Sequence, residues 1–250
     1  MSLERISIEL TDYCNKACSF CYNSSSPNGR EFWDEDDAVA FVSDCARNGI
    51  KAVSFGGGEP LQHDGLFSIL ERLKGQLFRS LTTNGLLLDQ HFEDLVAASP
   101  DKIHVSIHYP DDTEEVERVT RQVGEIARRG IASGVNLLVR RSSLEGARQA
   151  AERLKAAGID NRRIVYLPMR ISDTPSPDQV ADVAGKEPFQ SMSCLSACKA
   201  SPRFCSIASD KSAAWCSYTT ARKTLPSLSF KGLSQALGGL ELTYCGGSND

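Results

Sequence analysis

The stretch Ile6-Ser7-Ile8-Glu9-Leu10-Thr11-Asp12-Tyr13-Cys14-Asn15-Lys16-Ala17-Cys18-Ser19-Phe20-Cys21 sets the terms for the whole chain. Its first five residues alternate apolar and polar, the pattern of a half-buried strand. Three cysteines spaced Cys-x3-Cys-x2-Cys follow on the loop at that strand's carboxyl end. Thiolates so spaced can converge on one metal centre, and soft sulfur selects zinc or an iron–sulfur cluster. A closed zinc site needs a fourth ligand nearby. Cys45 belongs to a helical pattern and His63 is remote, so an open coordination position and a reactive metal fit better. By spacing, iron–sulfur leads, with zinc and unligated thiols as alternatives.

The chain has 250 residues, 41% of them hydrophobic and 24% charged, with 28 Lys plus Arg against 32 Asp plus Glu and a net charge of −4. That composition is an ordinary globular one and excludes disorder and collagen-like repeats. No apolar run reaches the roughly 18 residues of a membrane span. No signal peptide is visible at Met1-Ser2-Leu3-Glu4-Arg5, so a cytoplasmic location is expected. The mildly acidic balance argues against broad nucleic-acid binding. The nine cysteines are distributed unevenly: Cys14, Cys18 and Cys21 near the start, Cys45 alone, then Cys194, Cys198, Cys205, Cys216 and Cys245. In a reducing compartment such clusters point to metal or catalysis rather than disulfides. Cys45 recurs with Val39, Phe41 and Val42 at helical spacing and reads as core.

Beyond the first strand, apolar strands alternate with helical patterns. Asp34 caps a helix over 35–48 that Gly49 ends. Strand 52–55 precedes a helix over 64–74, strand 79–82 a helix over 89–98, and strand 103–107 a helix over 113–129 stopping at Gly130. Strand 135–139 precedes a helix over 142–157 stopping at Gly158, and 164–167 is the sixth strand. Six such units predict parallel strands joined by helical crossovers. They are too few for an eight-stranded barrel of about 250 residues. The expected class is α/β, a partial (β/α)6 TIM-like barrel or a doubly wound sheet, with reactive groups at the strands' carboxyl ends. Residues 173–177 read as a linker and 178–184 as a short helix. Residues 1–185 form the expected core and 186–250 a small cysteine-rich extension that a metal orders.

Gly56-Gly57-Gly58-Glu59-Pro60 follows the second strand, Thr82-Thr83-Asn84-Gly85 the third, and Ser106-Ile107-His108 ends the fourth. No Gly-Lys-Ser/Thr follows the glycines, which excludes a nucleotide P-loop. Together with Cys-x3-Cys-x2-Cys and its aromatic before the third cysteine, these segments resemble the radical SAM superfamily over about residues 1–170. The resemblance implies a [4Fe–4S] cluster held by Cys14, Cys18 and Cys21, with S-adenosylmethionine (SAM) on the open iron. Reductive cleavage of SAM then yields a 5′-deoxyadenosyl radical that abstracts a substrate hydrogen. It further implies Phe20 on the adenine side, and Gly57, Gly58 and Glu59 at the SAM ammonium. Asn84, Ser106 and Asn136 suit the carboxylate and ribose hydroxyls. Where many relatives have an Asp after the fourth strand, this chain has Ser106-Ile107-His108-Tyr109-Pro110, so His108 reads as a substrate contact or a hydrogen-bonded strand end.

The segment from Cys198 to Cys216 resembles the start of the SPASM or twitch extension, in which two cysteines flank a β-hairpin. Its turn here is Asp210-Lys211, without the expected glycine. The resemblance implies a second, auxiliary iron–sulfur cluster on Cys194, Cys198, Cys216 and Cys245, with Cys205 able to replace Cys194; zinc and redox thiols are the alternatives. Arg140 follows the fifth strand and Arg170 the sixth, where guanidinium groups can clamp a carboxylate or phosphate, or else lie solvated. Tyr109, Tyr166, Met169 and Trp215 are pocket or core residues. The favoured reading is an oxidoreductase-type radical SAM enzyme acting on a peptide or protein side chain, with flavodoxin or ferredoxin as reductant. The others are a small anionic metabolite such as a nucleotide or sugar phosphate, activation of a glycyl-radical enzyme, and a non-catalytic zinc-stabilised interaction module.

Overall fold

The sequence alternation at the start of the chain becomes strand β1, Arg5–Thr11. Ile6, Ile8 and Leu10 on one of its faces are buried, and so are Glu9 and Thr11 on the other. A strand covered on both faces is the signature of a parallel sheet interior rather than of a half-exposed edge. The computed structural model describes residues 3–191, 201 and 203–242. Six β-then-α units follow one another in chain order, and the α/β class with parallel strands is as expected. The helices are α1 (Glu35–Arg47), α2 (Leu66–Arg72), α3 (Phe92–Ala98), α4 (Thr113–Arg128), α5 (Leu144–Ala156) and α6 (Pro177–Val183). Between them run β2 (Ala52–Gly57), β3 (Phe78–Thr83), β4 (Lys102–Ile107), β5 (Ala132–Val139) and β6 (Ile164–Pro168).

The chain divides into two compact units. The first comprises the described residues of Met1–Thr83, Gln90–Lys102 and Ala200–Thr243. Its sheet contains three strands from the C-terminal segment: β8 (Phe204–Ile207), β9 (Ser212–Ala214) and β10 (Lys223–Thr224). The strand order is β10-β9-β8-β1-β2-β3. β2 pairs in parallel with one edge of β1, and β8 does so with the other, setting Ile6 opposite Cys205 and Ile8 opposite Ile207. The sequence shows little periodicity here because four residues, two of them the small Cys205 and Ser206, are too few to display a period. The last helix among the described residues is α7 (Phe230–Leu237), whose Ser229 cap accepts the Gly232 N–H at 3.1 Å. The Phe230 N–H donates to Asp44 of α1 at 2.8 Å.

The hairpin β8–β9 forms without a turn glycine. Lys211 takes the left-handed conformation itself, at φ +64, which costs a non-glycine residue roughly 1 kcal/mol or more. Three contacts hold it. Asp210 accepts the Ser212 N–H at 2.8 Å, the Lys211 ammonium donates to the Phe32 carbonyl at 2.8 Å, and it lies 5.8 Å from the Trp33 ring centroid. The fully buried Trp33 in turn donates from Nε1 to the Ala208 carbonyl at 3.2 Å.

A buried arginine joins the helix ends in this unit. From β3, Arg79 donates to the carbonyls of Leu70 at 2.6 Å, Ala98 at 3.3 Å and Ser99 at 2.6 Å, and pairs with Asp101 at 3.1 Å. It satisfies the orphan carbonyls at the ends of α2 and α3.

The second unit comprises the described residues of Asn84–Asp89, Ile103–Lys199 and Tyr244–Asp250. Its strand order is β4-β5-β6-β7, where β7 is Gln190–Ser191. Asp112 caps α4 through the Glu114 and Glu115 N–H groups, and a 3₁₀ turn over Arg141–Ser143 precedes α5, two residues later than the sequence suggests. The Ser176–Gln179 capping box starts α6 with Pro177 in its first turn. Replacing Arg79 by Ala strands three carbonyls, so Arg79→Ala is expected to lower the unfolding free energy by about 3 kcal/mol in urea titration.

Candidate metal and cofactor site

In the first unit the cysteine loop leaves β1 and is closed at its base by backbone bonds. Asp12 N–H donates to Glu31 O, Ser26 N–H to Asp12 O and Cys14 N–H to Ser26 O, each at 3.0 Å. Within the loop Cys21 N–H donates to Cys18 O at 3.1 Å, and Ala17 adopts φ +39 to let the chain turn between the cysteines. Cys14, Cys18 and Cys21 are all part-exposed, as ligands open to an incoming group must be. Phe20 is half-buried beside them.

The glycine run is fastened to this loop. Gly58 N–H donates to Thr11 O at 2.6 Å and Glu59 N–H to Tyr13 O at 2.8 Å. Close approach is the reason for glycine here. A Cβ on Gly58 would lie 2.1 Å from Tyr13 O, and Gly57 sits at φ +110 with the Thr11 carbonyl 2.6 Å from its missing Cβ. Glu59 is fully buried, and its Oε1 accepts the Leu61 N–H at 3.0 Å and the Thr83 hydroxyl at 2.7 Å.

The donor set fits a cluster with one open position. Among the described residues no three His, Cys, Asp or Glu side chains are gathered at metal-binding spacing. Metal binding and local order are coupled in such loops. The two candidates for a fourth ligand are otherwise engaged. Cys45 is fully buried in α1, with its thiol pushed up to about 12 by burial. His63 donates from Nε2 to Trp33 O at 2.7 Å and accepts the Gly65 N–H on Nδ1 at 3.2 Å. Three soft, part-exposed donors, with Cys45 and His63 engaged elsewhere, suit an iron–sulfur cluster with one exchangeable site.

A buried acid beside the loop escaped the sequence reading. Glu9 is 4% exposed on β1, and burial raises its carboxyl above the usual range, against the pull of Asn23, Arg222 and Tyr22. Strand alternation alone would have placed it toward solvent.

Of the C-terminal cysteines, Cys205 is fully buried in β8, where burial and the nearby Cys45 push its thiol far up. Cys216 is part-exposed, and its sulfur accepts the Tyr218 N–H at 3.5 Å. Cys194, Cys198 and Cys245 lie outside the described residues. Trp215 donates to the Leu240 carbonyl at 3.1 Å.

In the second unit, Asn84 and Ser106 are buried. Asn84 accepts the Leu86 N–H at 2.9 Å, a turn-capping bond. Asn136 lies inside β5, which runs on to Val139. His108 follows β4, and its backbone N–H donates to the buried Glu115 carboxylate at 2.6 Å. Arg140 follows β5 and lies 5.8 Å from the Tyr109 ring centroid. Arg170 follows β6 and is 3% exposed, so it is not a solvated surface arginine. Tyr166 is core, donating to Asn161 at 2.7 Å.

A parallel α/β fold with a three-cysteine loop on its first strand defines a class of metal-cofactor enzymes. The radical SAM superfamily profile matches residues 8–174, and the chain belongs to that superfamily. Its cofactors are a [4Fe–4S] cluster and S-adenosylmethionine. A probable GTP 3′,8-cyclase of Methanopyrus kandleri is 34% identical over 106 residues, which cover 42% of this chain and 34% of that protein. The chain thus matches about a third of that relative's length. Two solved structures share the fold. SuiB of Streptococcus suis bound to the precursor peptide SuiA has a TM-score of 0.70 at 16% identity, covering 86% of this chain and 60% of that one. Native anSMEcpe with bound AdoMet and the Cp18Cys peptide has a TM-score of 0.68 at 14% identity, covering 92% and 80%.

Gly58→Ala drives a methyl group into the Tyr13 carbonyl and is expected to lower stability by about 1–3 kcal/mol. Nothing lies within 4 Å of a Cβ at Gly56, so Gly56→Ala should stay within about 0.5 kcal/mol in the same urea titrations.

Proposed function

We infer that this chain starts radical chemistry on a side chain of a peptide or protein. The observation that carries the cofactor assignment is the fastening of Gly58 and Glu59 to the root of the cysteine loop. In this reading Cys14, Cys18 and Cys21 hold the cluster and SAM takes the open iron. When bound, the pair supplies one-electron reductive cleavage to methionine and a 5′-deoxyadenosyl radical that removes a substrate hydrogen. The chain's own residues bind and orient. The strand-end backbone at Gly57 and Gly58, with the Glu59 carboxylate, suits the SAM ammonium, and Phe20 the adenine. Asn84, Ser106 and Asn136 retain their assignment to the carboxylate and ribose hydroxyls on the strength of the sequence resemblance. An auxiliary cluster on Cys194, Cys198, Cys216 and Cys245 belongs to the same proposal, as does a flavodoxin or ferredoxin reductant. No helix among the described residues is long and apolar enough to cross a membrane.

The peptide reading is supported by fold likeness that runs past the matched superfamily region: 92% of this chain is covered by a structure holding a peptide. A second reading, a small anionic metabolite, is favoured by the buried Arg170 and by the cyclase relative.

After anaerobic reconstitution the wild-type chain is expected to bind about four irons per cluster and to form 5′-deoxyadenosine from SAM and dithionite. Cys18→Ala is expected to abolish that product; its persistence would sink the assignment. With GTP as the offered metabolite, 5′-deoxyadenosine formation should stay at the uncoupled rate. Stimulation by GTP that disappears in Arg170→Ala would establish the second reading instead.

A further inference from the structure

In the second unit burial alternates along the strands. Asn136, Leu138, Val165 and Leu167 are half-buried, while their neighbours on β5 and β6 are buried. The register sets Asn136 opposite Val165 and Leu138 opposite Leu167, so the four share the less covered face of the sheet. Two residues beyond Leu138 the same alternation reaches Arg140, also half-buried, at the carboxyl end of β5. Parallel α/β sheets take their ligands at that end.

The Arg140 side chain has a built support. Its guanidinium lies over the Tyr109 ring, 5.8 Å from the centroid. Tyr109 is itself fixed: the His108 N–H before it donates to the Glu115 carboxylate at 2.6 Å, and the Tyr109 carbonyl accepts the Asp112 N–H at 2.9 Å. On the other side, Asp173 holds the two residues that follow Arg140. Its carbonyl accepts the Arg141 N–H at 3.0 Å and its carboxylate the Ser142 N–H at 2.8 Å. That turn is strained. Ile171 stands at φ +73, an outlier for a branched side chain, and is 67% exposed. Strain of this kind persists where the surroundings hold it, and it gathers at ligand clamps.

A guanidinium lying over an aromatic face presents its N–H groups edgewise, in the plane in which it forks a carboxylate or phosphate. Arg140 and Met169 continue the less covered face beyond β5 and β6, and of the two only Arg140 is charged. One positive charge matches a carboxylate, whereas a phosphate monoester carries roughly 1.5 to 2 negative charges.

We propose that Arg140, steadied by the Tyr109 ring, takes a carboxylate of the peptide substrate, so that the enzyme acts on a segment with an acidic side chain or a free C-terminus. The exposed Ile171, on the turn bonded to Arg141, gives the adjoining part of the peptide an apolar contact. The proposal rests on the peptide reading above and names the part of the substrate that is recognised.

The test is protection of Arg140 from phenylglyoxal, a guanidinium reagent, mapped by mass spectrometry on the reconstituted full chain with SAM bound. The probes are N-acetylglutamate α-amide for an acidic side chain, N-acetylglycine for a C-terminus, and inorganic phosphate, with N-acetylglutamine amide as the neutral twin. At least one carboxylate is expected to protect Arg140 at concentrations about tenfold below the neutral twin, the difference a charge-assisted bond makes. Whichever carboxylate protects better tells the side chain from the terminus. Arg162, exposed before β6, should react at one rate with every probe. Tyr109→Leu keeps the apolar bulk and removes the ring face, and should narrow the preference for carboxylate; an unchanged preference overturns the part given to Tyr109. The proposal as a whole is overturned if neither carboxylate protects Arg140, if phosphate protects it better, or if the reagent never reaches it. The measurement needs no turnover. A wild-type chain that forms no 5′-deoxyadenosine would overturn the reading beneath the proposal, so the two failures are distinguishable.

Discussion

Two backbone hydrogen bonds, Gly58 N–H to Thr11 O and Glu59 N–H to Tyr13 O, tie the end of β2 to the point where β1 becomes the cysteine loop. Much of the first unit's chemistry depends on that seam. The pairing brings the glycine run, the buried Glu59 and the loop's root into one place. The absence of a side chain is the enabling constraint, since a Cβ on Gly58 would lie 2.1 Å from the Tyr13 carbonyl oxygen.

On the opposite edge of β1 the C-terminal segment does comparable work. β8 pairs along β1, and Trp33 and Lys211 bind the hairpin to the segment that closes the cysteine loop. Glu9 and Thr11 on the polar face of β1 are both buried. Glu9 becomes a buried acid, with the Arg222 guanidinium, anchored on Ser206 and Ser212, among the groups that act on it. A strand that reads as amphipathic is thus enclosed on both faces.

The parts of the fold legible in the sequence are those governed by local rules. Asp34 and Asp112 mark helix starts because a side-chain oxygen must satisfy the first N–H groups. Gly49, Gly130 and Gly158, all at positive φ, mark helix ends. The Cys-x3-Cys-x2-Cys spacing and the glycine run after the second strand were equally legible, since both are short-range requirements of ligation and close approach. The strands β8 to β10 were not, because their pairing partners lie far away in sequence and their own residues are few and small. Nor was the hairpin turn at Lys211, where tertiary contacts with Phe32 and Trp33 stabilise a backbone conformation that the residue alone disfavours.

The sequence by itself determined the class of fold, the order of its six β-then-α units, the superfamily and the three-cysteine loop, because each follows from periodicity, capping or spacing over a few residues. Only the tertiary structure decided that Cys205 is a core residue of β8, that Arg170 is buried rather than solvated, and that Glu9 is sealed beside the cysteine loop. Burial is a property of what packs over a residue. Glu9 and Cys205 sit on neighbouring strands, β1 and β8, that come from opposite ends of the chain.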